Sequence, residues 1–264
     1  MSKPLIKLIL LVCVAAGINT ACTEKIDLSL ESAVPQLVIE GNISDQPGPY
    51  YVILSMSKVY NDTSQLEGLS GATVIVNDDA GNIDTLGELY PGLYATNTIQ
   101  GTVGRTYHLQ VTANGKTYDT YCPMHVPVPI DTILITEETN FQGDTKLVGQ
   151  IQIHDPAGLG NAYRVVSQLQ GYTSSGFSVH GDRLWDGKIR NFDVPHSGFA
   201  PGDTLTVQLW SIDQKVYQYF REFNQNQNNF GAPAAPANPN TVYTPSALGY
   251  FSAHSISTRT LIVP

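Results

Sequence analysis

Three carboxylates in the C-terminal half come closest, by type and spacing, to a chemical site. Asp182, Asp186 and Asp193 flank the segment Trp185–Gly187, and carboxylate oxygens are ligands that Ca²⁺ accepts. Their spacing fits no EF-hand loop, and Asp beside Gly is typical of a turn. We therefore interpret these residues as turn formers and predict no metal site.

Histidine and serine motifs do not indicate an active site. The six histidines are scattered, with no His-Glu-x-x-His motif and no pair spaced i, i+4, the spacing that places two zinc ligands on one helix face. The string nearest to the G-x-S-x-G turn of hydrolases is Gly176–Gly181, which has neither its spacing nor its strand-to-helix context. We predict no catalytic residues, no cofactor and no enzymatic activity.

The N-terminal residues have the pattern of a bacterial lipoprotein signal peptide. Lys3 and Lys7 accompany the apolar run Leu8–Gly17, which is about as long as a signal h-region and shorter than the roughly 20 residues of a membrane-spanning helix. Small residues then lead to Cys22, as a lipoprotein signal peptidase requires. We expect residues 1–21 to be removed and Cys22 to carry the lipid; the alternative is an ordinary secretory signal.

The remaining cysteines leave no pair for an intramolecular disulfide. Cys13 is removed with the signal peptide and Cys22 is lipidated, so Cys122 remains alone. A lone cysteine at the end of a strand is usually a small buried apolar residue. Residues 22–33 show no hydrophobic periodicity, and we expect them to form a tether.

The composition excludes a nucleic-acid-binding protein. Without Lys3 and Lys7 the chain has 12 basic and 23 acidic residues, a net charge of −11. Phosphate backbones require clusters of Lys and Arg, and the sequence has none. The low charged fraction of 14% is typical of an extracytoplasmic β protein.

Short alternating runs predict a β-sandwich in the N-terminal half. In residues 107–118, apolar residues alternate with polar ones, and Asn114-Gly115 supplies the two positive φ angles of a type I′ hairpin. We predict an immunoglobulin-like domain over residues 34–126, because about seven such runs occur there. The Pro-rich segment 123–129 predicts an extended connector and a domain boundary. The other runs are 37–43, 50–57 and 72–76.

The C-terminal half, residues 127–264, predicts a second β-rich domain with one helix. In residues 213–226 apolar side chains recur at i, i+3, i+4 and i+7, with Asp213 as the N-cap. Residues 224–245 predict a long loop. The fold class is therefore mainly β, with two β-sandwich-like domains. The predicted strands are 131–136, 146–154, 162–172, 177–180, 205–212, 248–254 and 257–263.

Aromatic residues are the candidates for a binding role. Aromatic side chains supply much of the energy at protein interfaces and stack on sugar faces. Trp185, together with Phe230 and Tyr243 of the predicted loop, are the residues we expect to contact a ligand or partner, whereas Trp210 is expected in the core.

Several segments carry a family resemblance through their order. They are Leu37–Ile43, Gly71–Asp78, Gly104–Val111, Gly202–Val207 and the closing Leu248–Ser252. With Cys22 before them, the sequence resembles the domain-of-unknown-function 4249 (DUF4249) lipoproteins of the Bacteroidota over nearly the whole mature chain. The resemblance implies a lipid-anchored outer-membrane protein, often encoded beside a TonB-dependent transporter. No catalytic residues are carried over from it.

Three functions are open. We expect a non-catalytic outer-membrane lipoprotein that is an accessory or ligand-presenting partner of a TonB-dependent transporter. The alternative is a structural or adhesive lipoprotein that binds envelope components or glycans. A hydrolase would require Asp182, Asp186 and a histidine around one deep pocket. The sequence leaves open which side of the outer membrane the protein faces.

Overall fold

The computed structural model describes residues 34–58, 62, 64–171, 176–227 and 238–264. Pro35–Pro264 form one compact unit. The described residues are mainly strand, with one helix, which confirms the predicted fold class. The elements are β1 (Leu37–Ser44), β2 (Tyr51–Met56), β3 (Thr73–Asp78), β4 (Ile83–Thr85), β5 (Gly87–Tyr90), β6 (Leu93–Ala95), β7 (Thr106–Ala113), β8 (Lys116–Pro123), β9 (Thr132–Thr139), β10 (Thr145–His154), β11 (Ala162–Leu169), β12 (Gly176–Gly181), β13 (Ile189–Phe199), β14 (Thr204–Ser211), α1 (Gln214–Gln227) and β15 (Leu248–Ile262).

The β7–β8 hairpin has the turn that the sequence predicts. Asn114 and Gly115 have φ angles of 51° and 72°, and Ala113 pairs with Lys116 across the turn. Two consecutive positive φ angles give the twist that a two-residue connection needs. The prediction of a type I′ hairpin is confirmed.

The strands form three sheets. The eight-stranded sheet has the order β12-β11-β14-β15-β1-β2-β6-β5, the four-stranded sheet β4-β3-β7-β8, and the three-stranded sheet β13-β10-β9. The last strand, β15, lies in the middle of the eight-stranded sheet. It pairs in parallel with β1 and antiparallel with β14.

Two hydrophobic cores lie between these sheets. The first contains Ile39 and Ile43 of β1 with Val74 and Leu109 of the four-stranded sheet. The second contains residues of the three-stranded sheet and the opposing β11 and β14, including Ile151, Ile153, Val165, Val207 and Leu209. The buried residues alternate along β1 and β14, which is the pattern of strands with one face on a core. The structure therefore has two sandwich-like parts, each with its own core between sheets.

Helix α1 begins and ends within one residue of its predicted bounds. The Asp213 Oδ1 accepts a hydrogen bond from the Lys215 backbone N–H at 2.8 Å, which caps the first turn as predicted. Val216 and Phe220 are buried, and the helix contacts β11, β12 and β15. The described residues contain no helix long and apolar enough to cross a membrane.

The two closing strands predicted at 248–254 and 257–263 are one strand, β15. Residues 251–255 are all buried, so the alternation that marks a strand is lost there. Burial on both faces is the reason: Phe251 belongs to the first core, whereas Tyr250 and His254 pack against aromatic rings on the opposite face.

The predicted boundary near residue 126 does not divide the structure into two compact units. Val216, Tyr243 and Phe251 come from the C-terminal half and lie in the first core. The physical reason is the length of β15, whose 15 residues extend about 50 Å at the usual rise of a strand. A strand this long passes both cores and joins them through one sheet.

Candidate functional site

The four residues predicted to carry lipid or to contact a partner have different outcomes. Cys22 and Phe230 lie outside the described residues. Tyr243 is only 3% exposed, and its hydroxyl lies 3.0 Å from the Ile39 carbonyl oxygen and 2.8 Å from the Tyr250 carbonyl oxygen. Tyr243 thus packs in the first core, where its burial leaves little of the ring for a partner to contact.

Trp185 is half-buried and lies in the second of two loops, residues 155–161 and 182–188, that we call the loop junction. Its ring centroid lies 6.0 Å from that of Tyr163 and 5.2 Å from that of Phe192. The loop around it turns tightly, because the Trp185 N–H donates to the Asp182 carbonyl at 2.8 Å. One part of the ring therefore packs on the second core while the rest faces solvent.

Three carboxylates meet at the loop junction. Asp155, Asp182 and Asp186 each bring an oxygen within 4.8 Å of the others. The sequence grouped Asp193 with Asp182 and Asp186, but Asp193 lies on β13, where it accepts a hydrogen bond from Gln150 Nε2 at 2.7 Å. Its place is taken by Asp155, which follows β10 directly and opens the turn segment 155–161.

Turn N–H groups are bound to all three carboxylates. Asp182 accepts from the N–H groups of Gly160 and Asn161, both at 2.8 Å. Asp155 accepts from Gly187 N–H at 3.0 Å and from the Tyr163 hydroxyl at 2.5 Å, and Asp186 from Gly158 N–H at 2.7 Å.

Two carbonyls of the 155–161 loop accept hydrogen bonds as well. Asn161 Nδ2 donates to the Pro156 and Gly158 carbonyls at 2.9 and 3.0 Å. Ca²⁺ takes about six to eight oxygen ligands. The three carboxylates could supply part of such a set. The carboxylates themselves, however, already accept hydrogen bonds from N–H groups of the facing loop, which fits the turn interpretation of Asp182 and Asp186.

A shallow cavity of about 210 Å³ adjoins the junction, lined by His125, Tyr163, Ser211 and their neighbours. Pockets for drug-sized ligands are usually larger, about 300 to 1,000 Å³. His125 Nε2 lies 3.7 Å from an Asp213 oxygen. The Ser211 hydroxyl accepts a hydrogen bond from the Val128 N–H at 3.3 Å, so its oxygen supports the connector between the two halves.

Cys122 is buried in the first core, as the sequence predicts. It is 2% exposed, and its sulfur accepts a hydrogen bond from the Ala253 N–H at 3.2 Å. Burial raises the pKa of the Cys122 thiol to about 12. The thiolate is the nucleophilic form of cysteine, so this residue is held in its unreactive state.

An exposed apolar row on the eight-stranded sheet was missed by the sequence analysis. Ile53, Leu93 and Tyr90 are cross-strand neighbours on β2, β6 and β5, and Tyr51 lies two residues from Ile53. Tyr90 is 71% exposed and Ile53 45%. Because β2 reads Tyr-Val-Ile-Leu, both of its faces are apolar, and the sequence does not distinguish the face that meets solvent.

Comparison with solved structures finds distant likenesses. A two-domain fibronectin type III segment of chicken tenascin is 10% identical and has a TM-score of 0.25, over 87% of this chain and 99% of that one. The chicken interferon gamma receptor alpha chain is 10% identical with a TM-score of 0.23, over 67% and 89%.

No curated protein matches the sequence. The family model for the domain of unknown function DUF4249 matches residues 23–260. This range includes the helix, the loop junction and both cores apart from Leu261 and Val263 of the second. The chain belongs to the DUF4249 family.

Proposed function

We propose that the protein is an outer-membrane lipoprotein, anchored by lipid on Cys22, that acts as a non-catalytic accessory or ligand-presenting partner of a TonB-dependent transporter. Support for the anchor comes from the sequence: a basic start, a short apolar run and small residues before Cys22. Support for the transporter comes from what the family resemblance implies.

The observation that carries the non-catalytic role is the structural use of three carboxylates, a hydroxyl and a thiol that could otherwise do chemistry. At the loop junction the oxygens of Asp155, Asp182 and Asp186 accept hydrogen bonds from loop N–H groups. The Ser211 hydroxyl accepts from Val128 N–H, and burial keeps Cys122 a thiol. A nucleophile needs a base within hydrogen-bond reach, whereas these groups hold loops and connectors in place.

Lipidation is tested by labelling cells with an alkyne fatty acid and probing the purified protein. We expect label on the wild type and on Cys122→Ser, and none on Cys22→Ser. Cys122→Ser is the matched control because it removes a cysteine without touching the signal pattern. Unlabelled wild type, or label that persists in Cys22→Ser, would overturn the anchor.

The transporter partnership is tested by purifying the tagged full-length protein from outer membranes in a mild detergent and identifying what accompanies it by mass spectrometry. We expect a TonB-dependent transporter in stoichiometric amount. Recovery of the lipoprotein alone, in a detergent that preserves a known transporter complex, would contradict the partnership.

A structural or adhesive role is the second candidate, and the exposed apolar row supports it. Tyr90 and Tyr51 present aromatic rings on an open sheet face, 71% and 44% exposed, and such rings stack on sugars. Binding of the purified protein to envelope polysaccharide should then weaken in Tyr90→Ser and stay unchanged in Ile262→Ser, an exposed control. Equal binding by both variants would exclude the row as a glycan platform.

A further inference from the structure

The β9–β10 hairpin extends beyond the strand that flanks it. On its inner side β10 pairs with β13, and the last pair of that ladder is Leu147 with Phe199. Past this point β10 pairs only with β9, through Glu138 with Lys146 and Thr139 with Thr145. Residues 136–146 are all exposed. They form a two-stranded arm, which we call the hairpin tip.

The turn of the hairpin tip has a fixed conformation. Asn140 Oδ1 accepts from the N–H groups of Gln142 and Asp144, both at 2.9 Å, and Asn140 Nδ2 donates to Asp144 Oδ2 at 3.1 Å. Asn140 N–H also donates to the Asp144 carbonyl at 2.9 Å, and Gly143 takes a φ of 90°. A turn with these bonds presents its side chains with little conformational entropy left to lose on binding.

Phe141 stands at the top of this turn. At 112% it is the most exposed large hydrophobic side chain in the described part of the chain. Single exposed apolar residues are common on protein surfaces. A phenylalanine on a preorganised turn at the end of an arm is a different case, because anchors of this kind dominate the binding energy of protein interfaces.

The charges around Phe141 indicate the chemistry of the partner. Glu137, Glu138 and Asp144 are exposed beside one lysine, Lys146, so the hairpin tip has a net charge of −2. Segments that insert into anionic membrane surfaces carry Lys and Arg, which is the opposite sign. Acidic groups around an apolar anchor complement a recess whose rim is basic.

We infer that the hairpin tip is a docking element, with Phe141 inserted in an apolar recess of a partner protein and Glu137, Glu138 and Asp144 facing lysine or arginine at its rim. This role goes beyond the proposed function, since it specifies the surface used and the partner's chemistry whether or not the partner is a transporter.

Photo-crosslinking tests the docking. The full-length protein carries p-benzoyl-phenylalanine at position 141 or, as a control, at position 262, where Ile262 is 70% exposed on β15. After illumination of intact cells we expect one discrete protein adduct from position 141, mapping to apolar residues next to Lys or Arg, and none of that size from position 262. No adduct, an adduct with lipid or a second copy, or equal adducts from both positions would overturn the docking.

Substitutions distinguish the hairpin tip from the rest of the protein. We expect Phe141→Ser to lower recovery of the crosslinked partner in co-purification about tenfold or more. Adding Glu137→Lys and Glu138→Lys to this variant should lower recovery further at low salt. Ile262→Ser should leave recovery unchanged. All these positions are exposed, so thermal unfolding should match the wild type.

The same data separate this docking role from the proposed function. A TonB-dependent transporter that co-purifies equally with the wild type and with Phe141→Ser, with no protein adduct from position 141, leaves the proposed function standing and removes the docking role. A different partner, held through Phe141 in a basic-rimmed recess, confirms the docking role, and the transporter is removed if none co-purifies with the wild type.

Discussion

His254 lies on β15 beneath helix α1, and its ring stacks on Trp210 with centroids 4.1 Å apart and planes at 7°. The residue is 2% exposed. Burial, with the nearby positive charge of Arg164, lowers the pKa of His254 to about 3. Arg164 is held over the rings of Phe177, Trp210 and Phe220, 4.3 to 4.8 Å from their centroids. A neutral imidazole is therefore part of this helix-covered face.

Acid should destabilise the protein through His254. Below the ordinary pKa of histidine, 6.5, His254 binds a proton in the unfolded chain but not in the folded protein. The free energy of unfolding therefore falls as the pH falls, by about 1.4 kcal/mol per pH unit for one such group. We expect His254→Gln to have a shallower pH dependence than the wild type between pH 6.5 and 5, measured by urea unfolding.

The exposed His154 provides the control for that measurement. His154→Gln should keep the wild-type slope, because it leaves the buried imidazole in place. Burial also lowers the pKa of His180, to about 4. His180 is present in the wild type and in both variants, so its contribution to the pH dependence is the same in all three and cancels in the comparison. Identical slopes for His254→Gln and the wild type would show that His254 is not held neutral in the fold.

Tyr163 supports the loop junction through one hydrogen bond. Its hydroxyl donates to Asp155 Oδ1 at 2.5 Å, and both residues are 1% exposed. Burial, and then the Asp155 charge, raise the pKa of Tyr163 well above its usual value. The Tyr163 hydroxyl is thus protonated at neutral pH and can donate.

Tyr163→Phe removes this donor and leaves a buried carboxylate with one partner fewer. We expect the free energy of unfolding to fall by about 1–3 kcal/mol, measured by chemical denaturation. Tyr90→Phe, at a position 71% exposed, is the control and should unfold as the wild type does. If Tyr163→Phe leaves the free energy of unfolding unchanged, Asp155 has found a replacement donor, such as water.

At the scale of elements, the start of α1 depends on Asp213. Its Oδ1 accepts the Lys215 N–H at 2.8 Å, and the N–H groups of a first helical turn have no partner within the helix. We expect Asp213→Ala to cost about 1 kcal/mol of stability and Asp213→Asn to cost clearly less, because an amide oxygen also caps. Equal losses in urea unfolding would assign the effect to the His125–Asp213 pair instead of the cap.

Local signals account for the elements that the sequence predicted well. The Asn114-Gly115 turn and the Asp213 cap rest on residues adjacent in sequence, and both are present. Strand β13 was missed because Pro195 and Gly198 indicate a loop. The β10–β13 ladder accommodates them through register shifts between Leu147 and Gln150, which lets a proline sit at an irregular point of the ladder.

Long-range contacts account for what the sequence could not give. Asp155 and Asp182 are 27 positions apart, and they meet only because β10 and β13 pair and bring both loops to one end of the sheet. Asp193 was the nearer residue in sequence but faces Gln150. Similarly, the burial of Tyr243 depends on β1 and β15, whose parallel pairing joins the two ends of the described chain.

For the whole molecule, this pairing decides whether the N-terminal half can fold alone. Residues 34–126 were predicted to be a separate sandwich, yet β1 has β15 as one of its two neighbours. The first core also contains Val216, Phe220, Tyr243 and Phe251 from the C-terminal half. A fragment 34–126 would expose β1 along that edge and leave apolar surface uncovered, and unpaired apolar edges promote association.

We therefore expect the fragment 34–126 to lack a cooperative thermal transition and to bind a hydrophobic dye, while residues 34–264 unfold with one. The control is 34–264 cleaved by an inserted protease site after Val126, which is 70% exposed. Both pieces are then present, and the paired β1 and β15 should hold them together on a sizing column. A sharp unfolding transition from 34–126 alone would instead mean that β2 and the four-stranded sheet suffice for the first core, and that β15 is an addition to an independent sandwich.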